Sequence, residues 1–395
     1  MSEKPLCFWK SWEIIPVLML LAYAPARAEA PPPEVLYNFI GQAGPMAPLV
    51  EGPDGDFYGV TLFGPGTRTD GTVFKVTPDG VLTTLVTFNG DNGQNPMALL
   101  LGNDDNFYGT TLYGGNNGFG TVFRMTPDGT LTTLAHFDKA HGTGPAGRLV
   151  QQRDGDIYGT TVYGSSGYYG AVFKVTMDGT LTTVLDFPAT YGSVPAGLTL
   201  GHDHKLYGTT YSGVTGLGTV FRVTRQGELT TLANLQGSEF GYGTGLTPGR
   251  EGQLYGTTIH GGHHEMGTVF RVTHEGAVTT LVSFNGTNGA LPTGGLTLGP
   301  DGNFYGTTVY GGTFEGTVFK LTPDGQLTTV ANFTDRLHGV RPYGGVTVGS
   351  NGSLYGTTVT GGTSDGGIIF RVDLPQPAPT QPVQPVRTLR HVLMN

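Results

Sequence analysis

Apolar positions fall in short runs separated by turn residues. In one stretch the order is Phe304-Tyr305-Gly306-Thr307-Thr308-Val309, then Thr317-Val318-Phe319-Lys320-Leu321-Thr322, then Leu327-Thr328-Thr329-Val330-Ala331-Asn332-Phe333. Their β-branched and aromatic content predicts strands. A Leu-rich run after a proline, such as Pro195-Ala196-Gly197-Leu198-Thr199-Leu200, supplies a further strand ahead of each set. Asp301-Gly302 and Asp324-Gly325 stand where tight hairpin turns need positive backbone dihedrals. The unit predicted is a four-stranded antiparallel meander.

That unit recurs. Tyr-Gly occurs at Tyr58, Tyr108, Tyr158, Tyr207, Tyr255, Tyr305 and Tyr355, in steps of 48 to 50 residues. Gly-Thr-Val-Phe or a close variant begins at Gly71, Gly120, Gly170, Gly218, Gly267, Gly316 and Gly367. A Leu-Thr-Thr-Leu-x-x-Phe segment ends at Phe88, Phe137, Phe187, Leu235, Phe284 and Phe333, one copy short. The missing copy is Val35-Leu36-Tyr37-Asn38-Phe39 at the other end of the repeats. Four-stranded sheets at this period predict an all-β, seven-bladed β-propeller over residues 34–373, with an open solenoid as the competitor. If Val35 to Phe39 pairs with Gly367 to Val372, the N-terminal strand completes the last blade and closes the ring. Closure also hides strand edges.

The repeated Tyr-Gly-Thr-Thr, Gly-Thr-Val-Phe-Lys-Val-Thr-Pro-Asp-Gly and Leu-Thr-Thr-Leu segments resemble the GloVer repeat, named for Gloeobacter and Verrucomicrobia proteins. The resemblance covers roughly residues 34–373. It implies an exported repeat protein of a family with varied C-terminal anchors, and it supplies no catalytic residue to carry over. The tail here, through Arg387-Thr388-Leu389-Arg390-His391, has no apolar anchor.

Composition agrees with this picture. Gly 67 and Pro 26 make nearly a quarter of the 395 residues, which opposes long helices, while 37% hydrophobic residues can still fill a core. The net charge of −9 lacks the basic footprint of a nucleic-acid binder. Lys4 and Lys10 precede an apolar run from Ile14 to Ala24 and an Ala-rich cleavage region, the order of a signal peptide over residues 1–28, cut after Ala28 or alternatively Ala30, with an uncleaved anchor as the competing reading. Residues 29–33 read as a short linker and 374–395 as a Pro-rich, unpacked tail. Cleavage removes Cys7, the sole cysteine, so the mature chain is expected without disulfides, membrane span or cysteine catalysis, and secreted or held at the cell surface.

The meander places tight Asp-Gly turns on one face and longer loops on the other, where binding groups are commonly mounted. At the end of each second strand that face presents Phe63, Tyr113, Tyr163, Ser212, His260, Tyr310 and Thr360. A partial aromatic circle could stack on sugar rings. Polar groups gather in three inter-blade loops: Asp138, Lys139 and His141; Glu239 and Tyr242; Asp335, Arg336, His338 and Arg341. Candidate ligand-binding residues are therefore Phe63, Tyr113, Tyr163, His260, Tyr310, His141, Arg336 and His338. His260-Gly261-Gly262-His263-His264-Glu265 is the candidate acid/base or metal loop, although its spacing matches no zinc motif. Asp54-Gly55-Asp56, Asp104-Asp105 and Asp154-Gly155-Asp156 read as turn chemistry before calcium ligands, and His202-Asp203-His204 as a structural turn. Lys75, Arg124, Lys174, Arg222, Arg271, Lys320 and Arg371 share one repeat position and suggest blade-to-blade salt bridges or snorkelling stems. No phosphate loop, nucleophile elbow or dinucleotide fingerprint stands in context. The expectation is a binding or surface-interaction module for extracellular carbohydrate or protein, without cofactor or metal. The alternative is a lyase or hydrolase for a polysaccharide, lactone or cyclic peptide, with His260, His263, His264 or Glu265 as acid/base groups.

Overall fold

The computed structural model describes residues 30–375, apart from 65–69, 166, 168, 189–192, 213–217, 236–242 and 314. The expected signal peptide and nearly all of the tail lie outside the described residues, as do Glu239 and Tyr242. The described residues form 28 strands and no α-helix, with one 3-10 turn at Arg336–His338. They assemble into a β-propeller arrangement of antiparallel four-stranded blades. Five sheets are separate, and a sixth contains eight strands. The eight-stranded sheet is two meanders whose first strands, Thr143–Gln151 and Ser193–Leu200, touch in parallel at a single pair, Arg148 with Gly197.

The N-terminal strand Glu34–Asn38 pairs antiparallel with Ile368–Val372, which continues to Leu354–Thr357 and Val346–Val348. The segment near residue 37 thus supplies the fourth strand of the last sheet, as the displaced repeat predicts. Arg371 binds Glu34 at 2.6 Å across this pair. Residues 30 and 31 are also held, because their carbonyls accept the side-chain and backbone N–H groups of Asn332.

The core lies between sheets. Tyr58, Val73 and Phe88 of one sheet pack with Phe107, Phe123 and Met125 of the next. The ring of the Tyr-Gly tyrosine stacks on the phenylalanine at the start of the following second strand: Tyr58 on Phe107 at 4.0 Å, Tyr255 on Phe304 at 4.2 Å. The last sheet meets the first in the same way, with Tyr355 on Phe57 at 3.9 Å and Phe39 against Phe74 at 5.4 Å. Side chains hydrogen-bond over this joint too, Thr347 to the Leu49 carbonyl and Thr357 to the Pro45 carbonyl. Full burial of such a ring contributes about 1.5–3 kcal/mol, so each joint carries several such terms.

The glycine of Tyr-Gly has a steric cause. A Cβ at Gly159 would sit 2.5 Å from the Phe173 ring and 2.6 Å from Leu149. The third-strand phenylalanine occupies the space a side chain would need.

Candidate functional site

The loop face is built on a repeated threonine pair. The second Thr of Tyr-Gly-Thr-Thr is buried and donates to the carbonyl two residues on: Thr61 to Phe63, Thr111 to Tyr113, Thr161 to Tyr163, Thr258 to His260, Thr308 to Tyr310, Thr358 to Thr360. Its oxygen also meets the first Thr of the third strand, as in Thr111 with Thr121 at 2.9 Å and Thr308 with Thr317 at 2.8 Å. An unpaired buried hydroxyl costs about 1–3 kcal/mol, so this network fixes the backbone at the strand end. The backbone is held while the side chain there is left to vary.

Those side chains differ in exposure. Phe63 and Tyr113 are exposed, at 36% and 45%, whereas Tyr163 and Tyr310 are half-buried. The Tyr310 hydroxyl is buried without a hydrogen-bond partner among the described residues, and the Arg341 guanidinium lies over its ring at 5.8 Å. Burial pushes the nearby Tyr343 phenol upward in pKa. In another copy Ser212 pairs with Ser193.

The inter-blade loops share this face, since Gly144 N–H donates to the Phe119 carbonyl and Asn117 to the Phe137 carbonyl. Two of them carry the same device. His141 Nδ1 lies 2.7 Å from Asp138, and His338 Nδ1 lies 2.9 Å from Asp335. Each aspartate also accepts the backbone N–H of its histidine. The His141 bond is the main cause holding the Asp138 carboxyl below its usual range. Asp335 is lowered as well: burial resists its ionisation, but the donors from His338 and Leu337 prevail. Arg336 binds Asp365 at 2.6 Å, in the loop of the next blade. The loop groups are thus brought together as separate pairs.

His260, His263, His264 and Glu265 are all exposed. The described residues contain no group of three His, Cys, Asp or Glu placed to hold a metal ion. Gly261, Gly262 and Glu265 adopt positive φ values of 87°, 78° and 57°. Instead of focusing the side chains, this loop winds around the backbone bond from Gly267 N–H to the Gly261 carbonyl.

On the opposite face the tight turns are wired for structure. Asp54, Asp104, Asp203 and Asp301 accept the hydroxyls of Tyr58, Tyr108, Tyr207 and Tyr305 at 2.8 to 3.0 Å. Tyr108 is pushed up to about 12, first by burial and then by the Asp104 carboxylate. The shared Lys position differs from expectation. Lys75, Lys174 and Lys320 pair with Asp56, Asp156 and Asp301 of their own sheet, while among the described residues the neighbouring blades are bridged from other positions, by Arg225 to Asp154 at 2.9 Å and by the Arg336–Asp365 pair. The reason is register: Lys75 stands opposite Tyr58, beside its own Asp-bearing turn.

The threonine network escaped the sequence reading because Thr in a strand signals only β-propensity. Recurrence of two adjacent Thr beside a third-strand Thr was the available signal.

Residues 29–217 and 205–383 match the Gloeobacter/Verrucomicrobia repeat family. No curated protein matches the chain. Among solved structures, a catalytically inactive virginiamycin B lyase from Staphylococcus aureus with quinupristin aligns with a TM-score of 0.61 at 17% identity, covering 85% of this chain and 98% of that one. Puromycin hydrolase aligns at 0.57 and 15%, covering 83% and 53%. The Pseudomonas aeruginosa periplasmic gluconolactonase aligns at 0.50 and 17%, covering 78% and 93%. At such identities the likeness concerns the fold alone.

Proposed function

The chain belongs to the Gloeobacter/Verrucomicrobia repeat family, and from that premise we propose that it is an exported, non-catalytic binding module whose seven meanders close into one seven-bladed ring. Closure is supported by the last-to-first joint, where Tyr355 on Phe57 repeats the stacking of Tyr58 on Phe107. Export is supported by the basic, apolar and small-residue order of the first 28 residues. The ligand is an extracellular carbohydrate or protein, taken on the loop face.

The observation that carries this reading is the division of labour at the strand ends. Buried Thr hydroxyls lock the backbone in copy after copy, while the side chain beyond changes and leaves Phe63 and Tyr113 exposed. Exposed rings on a rigid backbone bind flat apolar faces at low entropic cost.

A second reading, an extracellular lyase or hydrolase, is favoured by the Asp138–His141 and Asp335–His338 pairs. A carboxylate on one imidazole nitrogen fixes the tautomer and readies the other nitrogen for proton transfer. A glycan array and pull-down with residues 29–395, run beside turnover assays on polysaccharide, lactone and cyclic peptide, separates the two. Retention of a ligand that is weakened by Phe63→Ala/Tyr113→Ala supports the binding module. Reproducible turnover lost in His141→Ala or His338→Ala, with nothing retained, overturns it.

A further inference from the structure

The first strands of the blades meet backbone to backbone. A Cβ at Gly147 would lie 2.5 Å from the Ala196 carbonyl, one at Gly294 2.2 Å from Gly345 N, and one at Gly344 2.7 Å from the Ala47 carbonyl. One repeat position on these strands is held by Pro48, Ala98, Arg148, Gly197, Gly245, Gly295 and Gly345. Six copies are small and one is arginine. A Cβ at Gly245 would meet nothing within 4 Å among the described residues, and one at Gly295 would meet a terminal guanidinium nitrogen of Arg148 at 4.0 Å. Arg148 is in the third meander and Gly295 in the sixth, so the side chain reaches across the middle of the molecule.

Arg148 is half-buried, and its side chain runs toward the first strand of the sixth meander. Among the described residues no carboxylate pairs with it. Loss of hydration is the influence on its ionisation, and its direction is downward. A guanidinium stays charged all the same, and a charge taken from water without a counterion is costly. Such a group recovers that cost by taking a counterion. Its planar fork matches a carboxylate or phosphate bidentately, and low surrounding polarity strengthens the pair.

We propose that Arg148 makes the centre of the blade array a binding site for one oxyanion group, a carboxylate or a phosphate, seated in the space left by Gly245 and Gly295. The site is distinct from the loop-face aromatics and does not rest on them. An anion enters along the first strands, and its two oxygens face the guanidinium while glycine backbone surrounds it.

The test uses the full mature chain at low ionic strength. Inorganic phosphate, and separately glucuronate against neutral glucose, are titrated by calorimetry and followed by thermal shift, with Arg148→Met and Arg148→Lys in parallel. The expected result is binding and a raised melting temperature for phosphate or glucuronate but not glucose, at least tenfold weaker in Arg148→Met and intermediate in Arg148→Lys. A phosphate response alone assigns a phosphorylated ligand, and a glucuronate response alone a carboxylate. Equal responses from wild type and Arg148→Met, or no response of the wild type to either anion, overturn the proposal. If Arg148→Met does not fold, Arg148→Lys carries the comparison, and unchanged affinity there overturns it. Glycan or protein retention on the loop face is read independently of these outcomes.

Discussion

Phe39→Ala tests whether the N-terminal strand holds the last blade to the first. Phe39 is 6% exposed, packs edge-on against Phe74 at 5.4 Å and Tyr37 at 5.2 Å, and its N–H donates to the Gly367 carbonyl at 3.0 Å. Truncating a buried phenylalanine removes its transfer energy and leaves a cavity, together about 3–5 kcal/mol. Unfolding entropy of roughly 2.1 cal/mol/K per residue, taken over about 340 residues, converts that into a fall in Tm of roughly 4–7 °C. Phe88→Ala is the internal standard, because Phe88 is 2% exposed and packs on Phe123 at the same distance of 5.4 Å. Equilibrium denaturation of both variants should give losses equal within about 1 kcal/mol, with unchanged m-values. A Phe39→Ala loss below about 1 kcal/mol, beside a full Phe88→Ala loss, would mean that the terminal joint carries no load.

Acid should expose the tight-turn network. Asp301 is lowered to about 2: burial opposes ionisation, but Asn303, its backbone N–H, Tyr305 and Lys320 outweigh it. A carboxyl depressed on folding contributes stability above its ordinary value of 3.8, and that stability drains away as pH falls toward about 2. Stability measured from pH 5 to 2 should therefore decline, with a shallower slope in Asp301→Asn; identical slopes would remove Asp301 from the account. Gly159→Ala should cost about 1–3 kcal/mol by overpacking against Phe173 and Leu149, read as a lower denaturation midpoint. A neutral outcome there would show that the third-strand ring can move aside.

The period, the strand order and the displaced strand near residue 37 were legible because they follow from side-chain repetition, and repetition survives without knowledge of contacts. The two faces were legible for the same reason, since Asp-Gly turns and long loops alternate along the chain. What could not be read was partnership. Lys75 could as well have reached a neighbouring blade until the register put it opposite Tyr58. His260, His263, His264 and Glu265 sit together in sequence, but two successive positive-φ glycines turn the loop so that the four end exposed without a metal-type cluster. Arg148 stands in no local motif that sets it apart from ordinary strand residues. Aligning the copies shows it as the one large side chain at a position otherwise held by Gly, Ala or Pro, and only its nearness to Gly295 reveals where it reaches.

The pairing of Glu34–Asn38 with Ile368–Val372 has a consequence for biogenesis. A ribosome makes the amino-terminal strand first, and its partner is the last element of the repeats to be synthesised. Until then the early strand and its mate's open edge are both templates for wrong pairings. Final consolidation therefore waits on a contact between segments more than 300 residues apart, the kind of step that loop-closure entropy slows. Chains stalled short of residue 368 keep an orphaned strand at one end and an unsealed sheet at the other, which marks them for proteolysis or aggregation.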